Sequence, residues 1–279
     1  MRVAAIYDIH GNLPALDAVL REIRRARVGQ VVVGGDVLPG PMPSETLACL
    51  FALEIPVQFI YGNGETAVLE QMAGREPSAV PEQFRPIIRW TAEQLDRDQQ
   101  RLVAAWPNTT RIAIPGIGSV LFCHATPRDE NEIFTRSTPQ ERLLPIFDSA
   151  NASVVVCGHT HMQFDRMIGK TRVVNAGSVG MPFGERGAYW LLLGPDIEFR
   201  HTAYDFTKAA ERIRATGYPQ AREFAERNVL RPPSEAEMLE LFSRVELRQK
   251  RSQRRQRNVN QPKPERTCAI HRMGAREVA

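Results

Sequence analysis

The chain has 279 residues, 43% of them hydrophobic and 24% charged, a balance that fits a soluble globular protein of one large or two small domains with a sizeable core. No apolar run approaches the roughly 18 residues of a membrane span, and the start, MRVAAIYDIH, turns polar too early for a signal peptide, so a cytoplasmic protein without membrane association is expected. The net charge of +4 is uneven, because residues 248–279 hold ten Lys/Arg against Glu265 and Glu277, a net +8, and leave −4 on the rest of the chain.

From the N-terminus, short β-branched runs alternate with helical patterns. Strands are expected at 3–7, 31–33 and 57–61, a helix between the first two with Leu16, Val19, Leu20 and Ile23 on one face, and another near 44–54. This is the pattern of parallel βαβ units with buried strands. Residues 75–107 break the rhythm: Pro77, Pro81 and Pro86 precede two helical stretches, one with Phe84, Ile87, Ile88, Thr91 and Leu95 on a face, the other with Leu102, Val103 and Trp106. They read as an insertion or cap beside the sheet. Strands then follow at 109–114, 119–122, 154–157, 164–168, 172–174, 189–193 and 197–202, several joined by Gly-containing turns, with a helix near 139–149. This half is expected to supply a second, largely antiparallel sheet. After Asp205 the chain turns helical again, and Ser-Glu-Ala-Glu at 234–237 is a capping box opening a helix with Met238, Leu241, Phe242 and Val245 on one face. One domain is therefore expected over 1–247, with 205–247 packed on it as C-terminal helices. The charged, Gln-rich and Pro-containing segment 248–279 is expected to be disordered.

The residues just after the predicted strands carry the chemistry. Asp8 and His10 follow the first, Asp36 the second, Asn63 the third, His124 the 119–122 strand, and His159 and His161 the 154–157 strand. Open α/β sheets place their sites at the carboxyl ends of strands, and four of the six histidines fall at these ends. Packing does not explain such a set, because buried polar groups need partners. Metals supply them: seven ligands exceed one tetrahedral zinc and suit two cations sharing a carboxylate. The mixture of carboxylate, carboxamide and imidazole favours Mn, Fe, Zn, Ni or Co over calcium or copper. Asn63 has a second reading, since Asn-Gly between apolar runs is also a hairpin turn signal, but the helical pattern that follows it argues against a hairpin. Cys49, Cys123, Cys157 and Cys268 show no C-x-x-C spacing, which argues against disulfides or a thiolate zinc site.

D-x-H at 8–10, G-D at 35–36, G-N at 62–63, a lone His124 and G-H-x-H at 158–161, in that order over residues 1–203, resemble the calcineurin-like metallophosphoesterases, and within them the small bacterial and archaeal phosphodiesterases. The resemblance implies an α/β fold (α+β in some schemes), a two-sheet β-sandwich flanked by helices. It implies two divalent metal ions, Mn²⁺ foremost, one held by Asp8, His10, Asp36 and His161 and the other by Asp36, Asn63, His124 and His159. Asp36, Asn63 and His124 are then the catalytic as well as metal-binding positions. A hydroxide held between the cations would attack a small phosphate-ester substrate, with no protein nucleophile.

The sequence also departs from that family. Many members read G-N-H-D or G-N-H-E, with a histidine thought to stabilise the transition state or protonate the leaving group, where Gly64 stands here. Loss of a general acid, typically worth ~10²–10⁴-fold, implies a preference for phosphodiesters or activated esters, and Gly64→His is expected to help poor leaving groups. A protein-phosphatase reading is weaker, because Val-Leu-Pro follows Gly-Asp where that branch has an arginine. A non-catalytic scaffold of the same fold is the rival from another class, although all seven ligand positions are filled. Arg128 is close enough to His124 in sequence to reach substrate, or is a solvated loop residue. Glu65 and Asn12 either orient ligands or cap helices, and 175–180 is either a loop near the site or an ordinary glycine turn. Ser178 lacks the nucleophile-elbow pattern. An oligomer stays open.

The run 248–257, with six basic residues in ten, either neutralises nucleic-acid phosphates or is a solvated extension without aromatics for base stacking. Truncation after residue 247 is expected to leave both phosphoesterase activity and retention on nucleic acid unchanged; loss of either would make the tail a functional element.

Overall fold

The computed structural model describes residues 1–247; the basic segment, Cys268 and the disorder expected there lie outside the described residues. Two five-stranded mixed sheets face each other. The first has the order β10-β9-β1-β2-β3, formed by β1 (Val3–Ile6), β2 (Gln30–Val33), β3 (Val57–Phe59), β9 (Ala188–Leu193) and β10 (Ile197–Thr202). The second has the order β4-β5-β6-β8-β7, formed by β4 (Thr109–Ile114), β5 (Gly118–Cys123), β6 (Val154–Cys157), β7 (Phe164–Ile168) and β8 (Thr171–Asn175).

Side-chain alternation sets the layers, because successive strand residues face opposite sides. Val3, Ala5 and Tyr7 point between the sheets and pack with Val120, Phe122, Val154 and Val156. Ala4 and Ile6 point outward against Leu16, Val19 and Leu20 of helix α1 (Leu13–Arg25). On the far side Leu121, Cys123, Val155 and Cys157 pack against Leu143, Ile146 and Phe147 of α6 (Gln140–Phe147). The fold is thus a β-sandwich with helices on both outer faces, as expected from the sequence.

The second half departs from the expectation of one antiparallel sheet. β5, β6 and β8 are parallel, with Val120 paired to Val154 and Val154 to Arg172, while β9 and β10 join the first sheet through Val3 opposite Leu193. The crossover from β5 to β6 runs through α6, which permits parallel pairing, and β7 reaches β8 by a tight turn at Gly169. The consequence is functional: the carboxyl ends of three parallel strands in each sheet meet along one edge of the sandwich.

The stretch 75–107 forms a short 3₁₀ turn (Glu82–Phe84), α4 (Arg85–Gln94) and α5 (Arg97–Ala104). Ile88, Thr91, Leu95, Val103 and Trp106 are buried as the pattern predicts, whereas Phe84 stays exposed at the end of the 3₁₀ turn and Leu102 because α5 turns Gln99 and Val103 inward instead. The chain ends in α7 (Phe206–Arg214), α8 (Ala221–Phe224), a π-helical segment (Ala225–Leu230) and α9 (Glu235–Ser243). The capping box is present, with Glu237 N donating to Ser234 Oγ and Ser234 N to the Glu237 carboxylate. Its expected apolar face, however, is not buried in the core: α9 has no fully buried residue and Leu241 is 50% exposed.

The seam between the sheets depends on Tyr7, whose hydroxyl donates to the Val156 carbonyl at 3.1 Å. Its ring occupies the space over Gly34, where a Cβ would stand 1.9 Å from Tyr7 Cε1. Gly34→Ala is therefore expected to cost about 1–3 kcal/mol by overpacking, read from urea denaturation, and Tyr7→Leu in the same chain should recover part of it. Equal stability of Gly34→Ala and the parent would show that the seam yields freely.

Candidate metal centre

The loops after the parallel strands do not fan out, because strand-like pairing continues into them. Asp8 N donates to Gly35 O at 3.1 Å, His10 N to Asp36 O at 2.9 Å and Gly11 N to Val37 O at 2.8 Å. In the second sheet Gly158 N donates to His124 O at 2.8 Å. Contacts then cross the seam: His159 N donates to Asp8 Oδ2 at 2.9 Å, and the His124 Nδ1 is 3.0 Å from the Gly34 carbonyl.

The seven residues singled out by the sequence lie together. Asp8, His10 and His161 offer ligand atoms within 4.8 Å of one another, and so do Asp8, Asp36 and His124. Asp36 faces both groups, with Oδ2 3.7 Å from His10 Nε2 and Oδ1 3.5 Å from His124 Nε2. Asn63 Oδ1 is 3.0 Å from His124 Nε2. His159 stands at the margin, its ring centroid 5.1 Å from that of His124. Asn63 is the first residue of α3 (Asn63–Met72), so the strand-to-helix reading holds and the hairpin reading does not.

The donor chemistry fits cations. A carbonyl can only accept, so His10, His124 and His161, with Nδ1 at 3.3, 3.0 and 2.7 Å from the Pro39, Gly34 and Met181 carbonyls, carry the proton there and turn Nε2 lone pairs inward. The His10 and His161 Nε2 atoms are 3.4 Å apart. Two lone pairs at that distance repel unless a proton or metal lies between them. Asp8 Oδ1 and His159 Nε2 are also buried without a hydrogen-bond partner, a cost that a metal would remove.

Electrostatics point the same way. Burial, reinforced by His161, pushes His10 down to about 3, and burial with His124 does the same to His159, so both rings are neutral and able to ligate at neutral pH. Burial also opposes charge on His161 and on Asp8, but their mutual attraction prevails, raising His161 and lowering Asp8. Asp36 is raised by burial and by Asp8, as for any second carboxylate without a neutralising cation.

Backbone geometry is unusual at the same positions. Asp8, His10, Asp36, His159 and His161 have φ of 53°, 48°, 52°, 68° and 58°, five of the eight non-glycine left-handed residues among the described residues. Each costs on the order of 1–2 kcal/mol relative to ordinary backbone, and such strain clusters at functional sites.

Glu65 combines both roles left open by the sequence, whereas Asn12 has the capping role. Glu65 is fully buried and accepts from Asp36 N, Leu38 N and Gly62 N at 2.8, 2.9 and 2.8 Å. It caps α3 and ties the Asp36 loop to the Asn63 loop. Burial and Asp36 push its carboxyl up to about 7 against the pull of those three N–H groups. Asn12 caps α1 through Ala15 N and donates to the Gly180 carbonyl at 2.9 Å. The 175–181 loop belongs to the site: Ser178 Oγ donates to the Asp8 carbonyl at 2.8 Å and accepts from Met181 N, and Asn175 holds the Gly158 carbonyl at 2.6 Å. Sequence reasoning missed Phe183, which stacks on His161 with centroids 5.1 Å apart and planes at 19°; no spacing rule marks it.

One reading narrows and one expectation changes. Arg128 is a solvent-exposed loop residue, its side chain 43% exposed, and its Nε donates to both Glu132 oxygens at 3.0 Å, so its charge is paired with a buried carboxylate. At Gly64 a Cβ would stand 2.1 Å from the Leu38 carbonyl oxygen, while Gly64 N donates to Asp36 Oδ1 at 2.7 Å. A histidine introduced at 64 would collide with backbone and pull on Asp36, so the geometry works against the expected gain from Gly64→His.

Residues 1–194 match the family model described as the calcineurin-like phosphoesterase superfamily domain. An uncharacterised protein of Methanocaldococcus jannaschii is 26% identical over 239 residues, spanning 78% of this chain and 94% of that one. Two crystal structures share the fold. A hypothetical protein from Pyrococcus horikoshii OT3 aligns at a TM-score of 0.70 and 19% identity, over 84% of this chain and 99% of its own. A metallophosphoesterase from Sphaerobacter thermophilus aligns at 0.63 and 24%, over 81% and 97%.

Asp36→Asn removes a carboxylate that, like Asp8, faces both ligand groups. If the parent chain binds two ions, the variant is expected to lose both, measured by elemental analysis after dialysis. Retention of two would refute a shared role for Asp36.

Proposed function

The chain belongs to the calcineurin-like phosphoesterase superfamily, and on that premise we propose that it is a metal-dependent phosphodiesterase. The observation that carries this reading is the convergence of five ligand residues, Asp8, His10, Asp36, His124 and His161, from loops of both sheets, in two adjoining groups, with Asn63 and His159 beside His124. Asp8, His10, Asp36 and His161 would hold one divalent cation, and Asp36, Asn63, His124 and His159 the other, with Mn²⁺ the first candidate. Bound there, the pair supplies charge to neutralise the phosphoryl oxygens and lowers the pKa of the attacking water.

The protein's own groups orient rather than attack. Ser178 Oγ is occupied on both sides by backbone, and burial pushes the Cys123 thiol far above its ordinary range. The Gly34, Pro39 and Met181 carbonyls hold three histidines in the ligating tautomer. Gly64 N–H steadies Asp36 Oδ1, fixing one face of the centre.

Two features support diesters over monoesters. Gly64 leaves the leaving group without the side chain that would protonate it, which favours esters whose alcohols leave readily. Arg128, the arginine nearest the His124 ligand in sequence, is committed to Glu132, so it adds no positive charge for a dianionic monoester.

The test uses chelator-stripped protein with Mn²⁺, Ni²⁺, Zn²⁺ or Mg²⁺ restored singly, assayed on bis-p-nitrophenyl phosphate and p-nitrophenyl phosphate. Metal-dependent turnover with a higher kcat/KM for the diester is expected, Mn²⁺ giving the highest rate. A monoester efficiency well above the diester efficiency would overturn the diester preference, and no turnover with two metals bound would overturn the enzyme reading.

A further inference from the structure

A cavity of about 410 Å³ opens directly beside the metal centre, with His10 in its wall. That volume lies in the range of small-molecule sites. It is lined mainly by apolar and aromatic groups, among them Phe84, Phe183, Tyr218 and Phe224. Three parts of the chain build it: the insertion through Phe84 and Ile87, the loop after β8 through Met181 and Phe183, and the C-terminal helices through residues 218–241. Those helices lie beyond the residues matched by the family model, so that wall of the cavity lies outside the matched domain.

Several independent features mark it as a site. Phe84 and Leu241, two of the large hydrophobic residues left exposed among the described residues, both line it, at 38% and 50% exposure. Exposed apolar side chains gathered on one concave surface indicate a ligand. Phe183 joins the cavity to the centre, because it lines the cavity while stacked on the ligand candidate His161. The wall also includes Arg227 and Asn228 of the π-helical segment, a geometry that is rare and frequent at functional sites.

We propose that this cavity binds a planar, uncharged ring on the alcohol that remains attached to phosphorus, making the substrates aryl or nucleoside phosphodiesters; the proposal rests on the phosphodiesterase reading above. Aromatic walls favour a ring, through stacked and edge contacts. The two charged groups of the wall, Glu223 and Arg227, lie 3.8 Å apart as a pair, so the cavity asks for no net charge. An apolar, charge-neutral cavity is unfavourable for a departing alkoxide, and that places the retained group in it.

The test is a series of diesters with one leaving group, p-nitrophenol, and methyl, n-hexyl, phenyl or thymidin-5′-yl as the second alcohol, assayed with the metal-restored full chain. Burial of a ring predicts a kcat/KM for the phenyl or thymidinyl ester about 10- to 100-fold above methyl. In the double variant Phe84→Ser, Leu241→Gln, whose side chains are exposed and whose folding is checked by circular dichroism, that ratio should collapse toward one. A thymidinyl ester faster than phenyl identifies the ring as a nucleobase; the reverse identifies a simple aryl group. Equal phenyl and methyl values with metal-dependent turnover intact would overturn the cavity assignment alone, and hexyl exceeding phenyl would overturn the ring. Absence of turnover on every ester would overturn the phosphodiesterase reading instead. Calorimetry with phenylphosphonate and methylphosphonate then tests the cavity without catalysis: tighter phenyl binding supports it, equal affinities refute it.

Discussion

Asp8 is the point on which the site depends, because it is fully buried and holds three loops at once. Its Oδ2 takes the His159 N–H from the second sheet, and its backbone carbonyl takes Ser178 Oγ–H and Gly180 N–H from the loop after β8. What remains is Oδ1, unpartnered and 3.3 Å from His161 Nε2. One carboxylate oxygen therefore fastens the sandwich edge while the other is kept for a ligand. A change at this residue touches fold and site together, because the group that closes the seam is the group that faces the centre.

Around that point the chain accepts local strain in exchange for placement. In ordinary extended backbone Asp36, level with Ile9 by the register of β1 and β2, would face away from the side shared by Asp8 and His10, whereas a left-handed residue turns the side chain back toward the edge. The cost is carried by packing nearby: the loops keep their cross-loop N–H to carbonyl bonds, and Glu65 satisfies three N–H groups that would otherwise be buried alone. Rigidity here is a product of hydrogen-bond accounting and of the glycines that let backbones approach closely.

Much of this was legible in the sequence for a physical reason. Ligand types cannot be spread along a chain at random if they must meet at one edge, and their order after successive apolar runs is a direct record of strand ends. That record carries the resemblance to the calcineurin-like phosphoesterases, and the resemblance in turn implied the β-sandwich. The partition of the strands was not legible: β9 and β10 read like members of the second sheet, yet β9 pairs with β1 and carries β10 into the first sheet, because the choice is made by long-range pairing that local patterns do not encode. Nor did residue type distinguish Glu65 as a cap from Glu65 as a brace, since the same carboxylate does both. The exposed face of α9 has the periodicity of a buried one, and only its position against the cavity explains why it stays open. Phe183 and the space over Gly64 depend on distances that no spacing rule contains.

The left-handed backbone at five of the ligand positions also bears on how such a protein would age if selection for its chemistry lapsed. Asparagine and glycine occupy that conformation at lower cost than aspartate or histidine, and replacing a buried carboxylate or an unpartnered imidazole removes an electrostatic penalty as well. At His10 and His159, drift toward Asn or Gly would raise stability while erasing a ligand, whereas Asp8 and Asp36, which accept the His159 and Gly64 N–H groups, are held by the fold as well. A copy of this gene released from selection would therefore find the loss of those imidazoles downhill, and would keep the sandwich long after losing them.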